Sequence, residues 1–346
     1  MRNTIFSLFA VFFCLNFFTS CQNSAVPELH LLIWSDYIKP GLVERFEEMH
    51  QCRVVIDTFD SNESMYAKLK LGASGYDIIF PSNYFVAIMS KQGMLQPLEL
   101  ALVPNIKNLD SNYMKRVVDK DLLHYGIPYM VTTAGIAYRT DKVKDFEPSW
   151  GIFGNPDYKG RMTMLNDVRE TIGEALLFLG YSANTTDINQ IEEAARLLIN
   201  WKKNLSKFES EQYKAGIASA EYLVVNGYNG DIMQVMQENP HVNFVYPKEG
   251  VTLSMDLMVL PNDAPNPELA YTFMNYLLDA EVSAENIEFT LFFSPNQAAY
   301  EKLPKNLREN KILFLPDEVL EKSEMIENLG EKGVLYNKAW DKIKVR

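Results

Sequence analysis

The pattern of apolar and polar positions along the chain predicts an α/β protein. The continuous apolar run at 29–33 is typical of a strand that is buried on both faces. Pro40 then suits the first position of a helix in which apolar residues recur at helical spacing. A strand at 54–59, a helix at 62–71 and a buried strand at 77–80 follow. This βαβαβ order predicts a parallel sheet with helices on both of its faces.

The alternation continues in the second half of the chain and predicts a second α/β domain. Gly126 leads into an apolar run at 134–138, where we place the crossing into that domain. Further strands are predicted at 162–165, 222–225, 244–247 and 257–260, and helices at 169–179, 188–201, 267–278 and near the C-terminus. The last of these strands is expected to return to the first domain. A chain of 346 residues is long enough for two domains of about 150 residues each.

Polar and aromatic residues stand where two of the buried strands end. They follow the first strand at Trp34, Ser35, Asp36 and Tyr37, and the third strand at Ser82 and Tyr84. Ligands of open α/β sheets bind at the carboxyl ends of the strands. We therefore expect these side chains to converge on one functional site.

Three carboxylates are further candidates for that site. Asp167 and Glu170 stand within one turn of each other at the start of a predicted helix. This spacing fits a capping box, in which both side chains bond to free backbone groups of the helix end, and it also fits a site for a cationic ligand. Asp256 lies at the start of an apolar strand, where an unpaired charge would be costly, so it needs a partner or a water-filled cleft.

Four aromatic residues are candidates for the walls of the site. Trp34, Tyr37, Tyr84 and Tyr228 each stand beside a polar residue at a loop or strand end. Such rings commonly pack in a core, and that interpretation stays open here. Aromatic faces attract ammonium groups and pack against methylene chains. Rings together with carboxylates therefore describe a site for an aliphatic polyamine.

The N-terminal residues have the pattern of an export signal. Arg2 precedes an apolar stretch at 5–18, which is too short to favour a membrane-spanning helix. Residues 18–21 resemble the lipobox of bacterial lipoproteins, in which the cysteine, here Cys21, receives lipid; cleavage by ordinary signal peptidase is the alternative. We predict a signal peptide at 1–20, a lipidated tether at 21–27, and a protein anchored to the membrane and facing the periplasm.

Charge and composition argue against several other classes of protein. The net charge of −12 argues against a nucleic-acid partner, since phosphate binders normally present a basic face. Cys52 is the one cysteine left in the mature domain, so no intrachain disulfide is available. The four histidines are widely dispersed and show neither metal-ligand spacing nor a hydrolytic triad. We predict no metal and no cofactor.

Several segments resemble the bacterial spermidine/putrescine-binding proteins, which are the receptors of polyamine ABC importers. The resemblance covers about residues 28–346 and is carried by 34–37, 40–42, 61–70, 76–84, 179–182, 184–187 and 246–250. It implies a two-lobed periplasmic-binding-protein fold of the class II type, with the ligand in the cleft between the lobes. One lobe is expected to comprise 28–134 and 255–301, and the other 135–254 and 302–346.

The resemblance also implies which residues bind the ligand. Family ligand positions match at Trp34, Tyr37, Ser82, Tyr84, Asp167, Glu170 and Asp256, with close equivalents at Ser35 and Asp36 and a ring at Tyr228. Two further positions of the predicted site depart from the family: Ser254 stands where a second cleft Trp is usual, and Phe292 where a Tyr is usual. Ile326 stands near the place of a Gln. The lost contacts at 254 and 292 predict that putrescine binds at least as tightly as spermidine.

The expected function is capture of a di- or triamine without catalysis. A monomeric receptor would then deliver the polyamine to a membrane permease and its ATPase. Two alternatives stay open. A secreted hydrolase could use Asp167, Glu170 or Asp256, although carboxylates one turn apart do not obviously flank a scissile bond from opposite sides. A related import receptor could bind another small solute, such as iron or a sugar.

Overall fold

The computed structural model describes residues 26–111, 114 and 121–345. The predicted signal peptide and Cys21 lie outside these residues. Among the described residues, no helix combines the length and the apolar character that crossing a membrane requires. Cys52 is a buried free thiol, as its position before an apolar strand predicts.

The strands are numbered in chain order. They are β1 (Glu28–Trp34), β2 (Arg53–Phe59), β3 (Ile78–Ile79), β4 (Gly126–Arg139), β5 (Met162–Met164), β6 (Leu205–Phe208), β7 (Val224–Tyr228), β8 (Val242–Val245), β9 (Thr252–Val259) and β10 (Glu324–Met325). Sequence patterns predict most of these strands. They miss β6 and β10, which are short and lack a clear period, and they miss the polar first half of β9.

The helices are numbered in the same way. They are α1 (Pro40–His50), α2 (Asn62–Lys70), α3 (Asn83–Lys91), α4 (Val168–Phe178), α5 (Ile188–Lys202), α6 (Tyr213–Ala218), α7 (Asn229–Glu238), α8 (Pro267–Leu277), α9 (Ala280–Thr290), α10 (Gln297–Tyr300), α11 (Lys305–Arg308), α12 (Asp317–Leu320) and α13 (Val334–Val345). Short 3-10 turns lie at Leu100–Leu102, Pro104–Asn108, Leu122–His124, Trp150–Gly154, Pro156–Tyr158 and Gly330–Gly333. Sequence patterns do not predict α6, α7, α9 or the short helices α10, α11 and α12.

The first part of the chain forms the predicted parallel βαβαβ unit. β1 lies between β2 and β3 and pairs in parallel with both. Leu31 and Leu32 of β1 point to opposite faces, and both are fully buried. The strand is therefore covered on both faces, and the loop after its carboxyl end is where side chains can reach a ligand.

The long strand β4 connects two halves of one continuous sheet. Its first half pairs antiparallel with β9, which in turn pairs with β3. Its second half pairs antiparallel with β7 and β8, and β7 continues in parallel through β5 to β6. We call the half built on β1, β2, β3 and β9 lobe 1, and the half built on β5, β6, β7 and β8 lobe 2. The crossing that the sequence predicts at 134–138 is the second half of β4.

The C-terminal region packs against both lobes. Tyr336 and Ile343 of α13 are fully buried in the apolar cluster of lobe 2. Leu303, Leu307 and Leu313, which the sequence analysis assigns to lobe 2, instead belong to an apolar cluster that is built mainly from lobe 1 residues. The chain thus stays with lobe 1 past residue 301 before it joins lobe 2. The remaining boundaries of the two lobes stay a prediction.

Candidate ligand-binding site

A cavity of about 200 Å³ lies between the two lobes at the carboxyl ends of β1 and β3. All of the predicted site residues line it: Trp34, Ser35, Asp36, Tyr37, Ser82, Tyr84, Asp167, Glu170, Tyr228, Ser254, Asp256 and Phe292. The chain therefore brings together side chains that are up to 258 positions apart, from 34 to 292. Their role in binding stays a prediction.

The lining of the cavity is strongly acidic. Seven of its residues are carboxylic acids: Asp36, Asp60, Asp167, Glu170, Glu211, Asp231 and Asp256. Among the residues that the structure describes, Lys214 is the single lysine of the lining, and no arginine or histidine lies in it. Within the described part of the chain, no group of three or more His, Cys, Asp or Glu side chains is arranged to hold a metal ion. The acidic lining favours a positively charged ligand.

Asp256 is the most enclosed carboxylate near the β1 end of the site. It lies in the middle of β9 and is only 3% exposed. The Tyr37 hydroxyl donates a hydrogen bond to Oδ2 of Asp256 at 2.7 Å, and the Ser82 hydroxyl donates to Oδ1 at 2.7 Å. Both donors are neutral, so the carboxylate is hydrogen-bonded but its charge has no counter-ion among these partners.

Burial raises the pKa of Asp256 to about 6, and the hydrogen bonds from Ser82 and Tyr37 only partly oppose this rise. Burial, together with the neighbouring Asp256 charge, also raises the pKa of the Tyr37 phenol, so Tyr37 remains a donor. An ammonium group placed beside Asp256 would relieve the cost of its buried charge.

Asn62 is a supporting residue that sequence reasoning missed. Its amide donates to the Ser82 hydroxyl at 3.0 Å and to the Tyr84 hydroxyl at 3.2 Å, and its carbonyl accepts from the Ser82 backbone N–H at 3.0 Å. Asn62 thereby orients Ser82 toward Asp256. The sequence marks this residue only as the first position of a predicted helix, which gives no sign of a buried polar role.

Asp167 and Glu170 do not form the capping box that their spacing allows. Asp167 is the N-cap of α4, and its Oδ1 accepts from the backbone N–H groups of Arg169 and Glu170, both at 2.9 Å. The Glu170 side chain does not complete a capping box. It turns toward β9, where the hydroxyl groups of Thr252 and Ser254 donate to its two oxygens.

Ser254, which stands where a Trp is usual in the resembled family, therefore forms a hydrogen bond with Glu170. Its hydroxyl lies 3.0 Å from Oε1 of Glu170. Thr252, Ser254 and Asp256 alternate along β9, so their side chains share one face of the strand. Burial and then the charge of Asp167 raise the pKa of Glu170 to about 7. An ammonium group placed beside Glu170 would relieve the cost of its buried charge, as at Asp256.

The aromatic residues serve both as walls of the cavity and as core. The Trp34 indole N–H donates to the Phe80 carbonyl at 2.9 Å, and its ring centroid lies 4.3 Å from that of Phe59. The Tyr37 and Phe292 rings meet edge to face with centroids 5.3 Å apart. Trp34, Tyr37, Tyr84 and Tyr228 all pack against apolar clusters and also line the cavity. The core interpretation therefore holds, and their contact with a ligand stays a prediction.

The solvent-exposed edge of the cavity has a different arrangement. Nζ of Lys214 lies 3.3 Å from Oδ2 of Asp36 and 3.3 Å from Oδ1 of Asp231. Asp36 follows β1, whereas Lys214 and Asp231 lie on α6 and α7. Sequence reasoning missed Lys214, which pairs with Asp36, and Asp231, which is the second carboxylate partner of Lys214. Asp231 could have been found as an acid in the turn after Tyr228, but no sequence signal marks Lys214.

Ile326 lies outside the cavity lining. It is buried in the apolar cluster of lobe 1, where its backbone N–H donates to the Leu253 carbonyl at 2.8 Å and its carbonyl accepts from the Asn83 amide at 2.7 Å. The loose correspondence of Ile326 with a family glutamine therefore has no bearing on the cavity.

Comparison with known proteins decides the family. The family described as bacterial extracellular solute-binding protein matches residues 41–314 of the chain. The chain belongs to this family. A solute-binding protein is a receptor and not an enzyme, so the hydrolase alternative is set aside.

Two relatives of known name are similar to this solute-binding protein over most of its length. The spermidine/putrescine-binding periplasmic protein 1 of Haemophilus influenzae is 31% identical over 330 residues, which cover 94% of this chain and 90% of that protein. The putrescine-binding periplasmic protein SpuD of Pseudomonas aeruginosa is 33% identical over 335 residues and covers 91% of each chain.

A solved structure with a similar fold is the TpPotD lipoprotein of Treponema pallidum. It is 32% identical, with a TM-score of 0.82, and the match covers 92% of this chain and all of that chain. The predicted two-lobed α/β fold of a periplasmic binding protein is confirmed.

Proposed function

We propose that this solute-binding protein is an extracytoplasmic receptor that captures a linear polyamine and delivers it to an ABC importer. One observation carries the proposal: in the described part of the chain, the cavity has seven carboxylic acids and a single lysine in its lining. A cationic ligand restores charge balance in such a cleft, whereas a sugar or an anion does not. The names of the relatives, which include spermidine/putrescine-binding and putrescine-binding proteins, support the same ligand class.

The shape of the cavity supports a slender ligand. Its volume of about 200 Å³ is below the range of about 300 to 1,000 Å³ that is usual for drug-sized ligands. The rings of Trp34, Tyr37, Tyr84 and Tyr228 line the cavity together with the carboxylates and can pack against methylene groups. Asp256 and Glu170 are the expected partners of the ligand's ammonium groups.

The preferred ligand is a diamine such as putrescine. The hydroxyl of Ser254 is engaged by Glu170, and no ring stands at that position to receive another ammonium group. Spermidine would have to desolvate its extra ammonium and order its extra arm, and it binds more tightly only where new contacts exceed those costs. We therefore expect putrescine to bind at least as tightly as spermidine.

The test is a calorimetric titration of the mature protein with putrescine, spermidine, spermine, cadaverine and glucose. We expect saturable binding of putrescine and cadaverine and no binding of glucose. Binding of glucose alone, or of none of the amines, would contradict the proposal. Sedimentation of the same sample, with and without putrescine, tests the expectation that the receptor is a monomer.

The receptor is further proposed to be anchored to the membrane by lipid on Cys21, facing the periplasm. The lipobox-like residues 18–21 support this anchor, as does the similarity to a lipoprotein of Treponema pallidum. Cys21→Ser is expected to abolish labelling with radioactive palmitate and to release the protein from membranes. Cys52→Ser, at a buried thiol, is the matched control and should label like the unmodified protein. Persistent labelling of the Cys21→Ser protein would place the lipid elsewhere.

A further inference from the structure

A positively charged side chain of the protein itself, Lys214, lies at the exposed edge of the cavity. We call Asp36, Lys214 and Asp231 the rim cluster. Lys214 is 29% exposed at its side chain and lies within ion-pair distance of both carboxylates. It reaches from α6 in lobe 2 to the loop after β1 in lobe 1, so it joins the lobes across the mouth of the cavity.

Lys214 is charged in this position. Burial lowers the pKa of its ammonium, but the charges of Asp231 and Asp36 outweigh burial, and the pKa is raised overall. Asp231 is fixed from its other side by the hydroxyl of Tyr213. The ammonium of Lys214 therefore has the same charge and the same carboxylate partners that a ligand ammonium would have at this place.

We propose that Lys214 is a specificity-determining residue that selects against polyamines with more than two ammonium groups by occupying the rim cluster. The proposal rests on the proposed function, since it presumes that the cavity binds polyamines. It goes further because it names the side chain that distinguishes a diamine from a triamine.

Two buried carboxylates of the cavity have no cation among their described hydrogen-bond partners. Asp256 and Glu170 are buried and accept hydrogen bonds from neutral hydroxyl groups, so each can accept an ammonium. A diamine satisfies these two carboxylates. A third ammonium that reaches the rim must either displace Lys214 from Asp36 or lie close to its like charge, and both alternatives oppose binding in a partly desolvated cleft.

The test uses Lys214→Met, which removes the charge and keeps an apolar stem against the cavity wall. We expect the ratio of the spermidine Kd to the putrescine Kd to fall by about tenfold, a change of about 1.4 kcal/mol. Lys248→Met is the matched control, because Lys248 pairs with Glu147 outside the cavity lining and its loss changes the net charge equally. The control should keep the ratio of the unmodified protein.

Two further variants separate the charge of Lys214 from its packing. Lys214→Gln should lower the ratio as Lys214→Met does, and it replaces Lys214→Met if that protein does not fold. Lys214→Arg keeps a cation and should keep the original ratio. Asp36→Asn in the Lys214→Met background should reverse the gain for spermidine, because it removes a freed carboxylate.

The outcomes distinguish this proposal from the function on which it rests. If the unmodified protein binds no polyamine, the proposed function fails and the role of Lys214 fails with it. If polyamines bind but neither Lys214→Met nor Lys214→Gln changes the ratio, the function stands and the role of Lys214 is wrong. A rise in the ratio of the spermidine Kd to the putrescine Kd would also overturn the role of Lys214.

Discussion

The buried and exposed ends of the cavity use the same carboxylate chemistry in opposite ways. At the buried end, Asp256 is 3% exposed and its partners are hydroxyl groups. At the rim, the Asp36 side chain is 64% exposed and its partner is an ammonium. The buried carboxylate has no cationic partner among these contacts, whereas the rim already holds one ammonium of the protein. We therefore expect affinity to depend on the buried end and selectivity to depend on the rim.

The free energy lost when a charge is removed should differ between the two ends of the cavity, because one end is buried and the other is exposed. Removing one partner of a desolvated charge pair at an interface costs about 2 to 5 kcal/mol. An exposed ion pair contributes about 0 to 1 kcal/mol, because solvent screens it and its long side chains lose freedom. Substitutions of similar chemistry at Asp256 and at Asp36 should therefore have very different effects.

The largest effect is expected from Asp256→Asn. Asn keeps the shape of the side chain but removes the negative charge that an ammonium requires. We expect putrescine binding to weaken by about 30-fold or more, which corresponds to the lower limit of about 2 kcal/mol for a desolvated pair. Calorimetric titration at pH 7.5 measures it.

The control for this comparison is Asp263→Asn, at an exposed aspartate outside the cavity lining. It changes the net charge of the protein by the same amount and should bind putrescine like the unmodified protein. Equal binding by Asp256→Asn and the unmodified protein, with both correctly folded, would remove Asp256 from the site.

The second prediction concerns pH. The pKa values of Asp256 and Glu170 are raised to about 6 and about 7 by burial, so both carboxylates take up protons in mildly acidic solution. A protonated carboxyl does not balance an ammonium. Each unit of pH below the pKa of a required carboxylate weakens binding about tenfold. We expect the putrescine Kd to rise by tenfold or more between pH 8 and pH 5, and proton release on binding near pH 6 should accompany it.

The unliganded protein should show the opposite dependence on pH. A carboxyl whose pKa is higher in the folded state than in the unfolded state stabilises the fold at low pH, and this contribution is lost as pH rises through the folded value. For Asp256, a rise from 3.8 to about 6 corresponds to about 3 kcal/mol. In urea unfolding at pH 4.5 and pH 7.5, Asp256→Asn should lose less stability between the two pH values than the unmodified protein. An identical loss in both proteins would contradict the raised pKa.

Particular residues show how far the sequence predicts this site. Trp34 and Tyr84 follow apolar strands, and Asp256 is a charge within an apolar strand, so local patterns are sufficient to find them. Lys214 lies on a helix of six residues, which is too short for a periodic pattern. Its contact with Asp36 spans 178 positions and depends on how the lobes meet, which no local pattern encodes.

The fold was likewise predictable where local sequence patterns are strong, and not where it depends on tertiary packing. The parallel unit of β1, β2 and β3 has strong apolar runs and clear helix signals, and its order is confirmed. Leu303 and Leu307, predicted in lobe 2, pack in an apolar cluster that is built mainly from lobe 1 residues. Both apolar cores accept leucines of a short segment, and only tertiary packing decides between them.

The third prediction tests how closely the lobes must approach. Gly230 lies in the first turn of α7, and a Cβ there would be 2.7 Å from ring atoms of Phe292 in lobe 1. Gly230→Ala must push α7 and the ring apart, and overpacking of this kind costs about 1 kcal/mol or more. We expect putrescine binding to weaken about fivefold, which is less than at Asp256 because no charge is lost.

Gly41→Ala is the control for Gly230→Ala. Gly41 is also helical, and a Cβ at this position meets nothing within 4 Å. Alanine should raise the thermal midpoint slightly, since it favours a helix, and it should leave binding unchanged. Unchanged binding by Gly230→Ala would mean that α7 and Phe292 separate without disturbing the cavity.

The smallest effect is expected from Asp36→Asn, and it decides whether the two ends of the cavity are as different as proposed. Asp36 is largely exposed and pairs with Lys214, which keeps Asp231 as a second partner. Loss of one exposed charge should change the putrescine Kd by about fivefold or less. The change should shrink further in 1 M salt, where charges are screened beyond about 3 Å. A loss as large as that of Asp256→Asn would mean that the diamine itself binds Asp36, and then Lys214 must leave the rim whenever ligand enters.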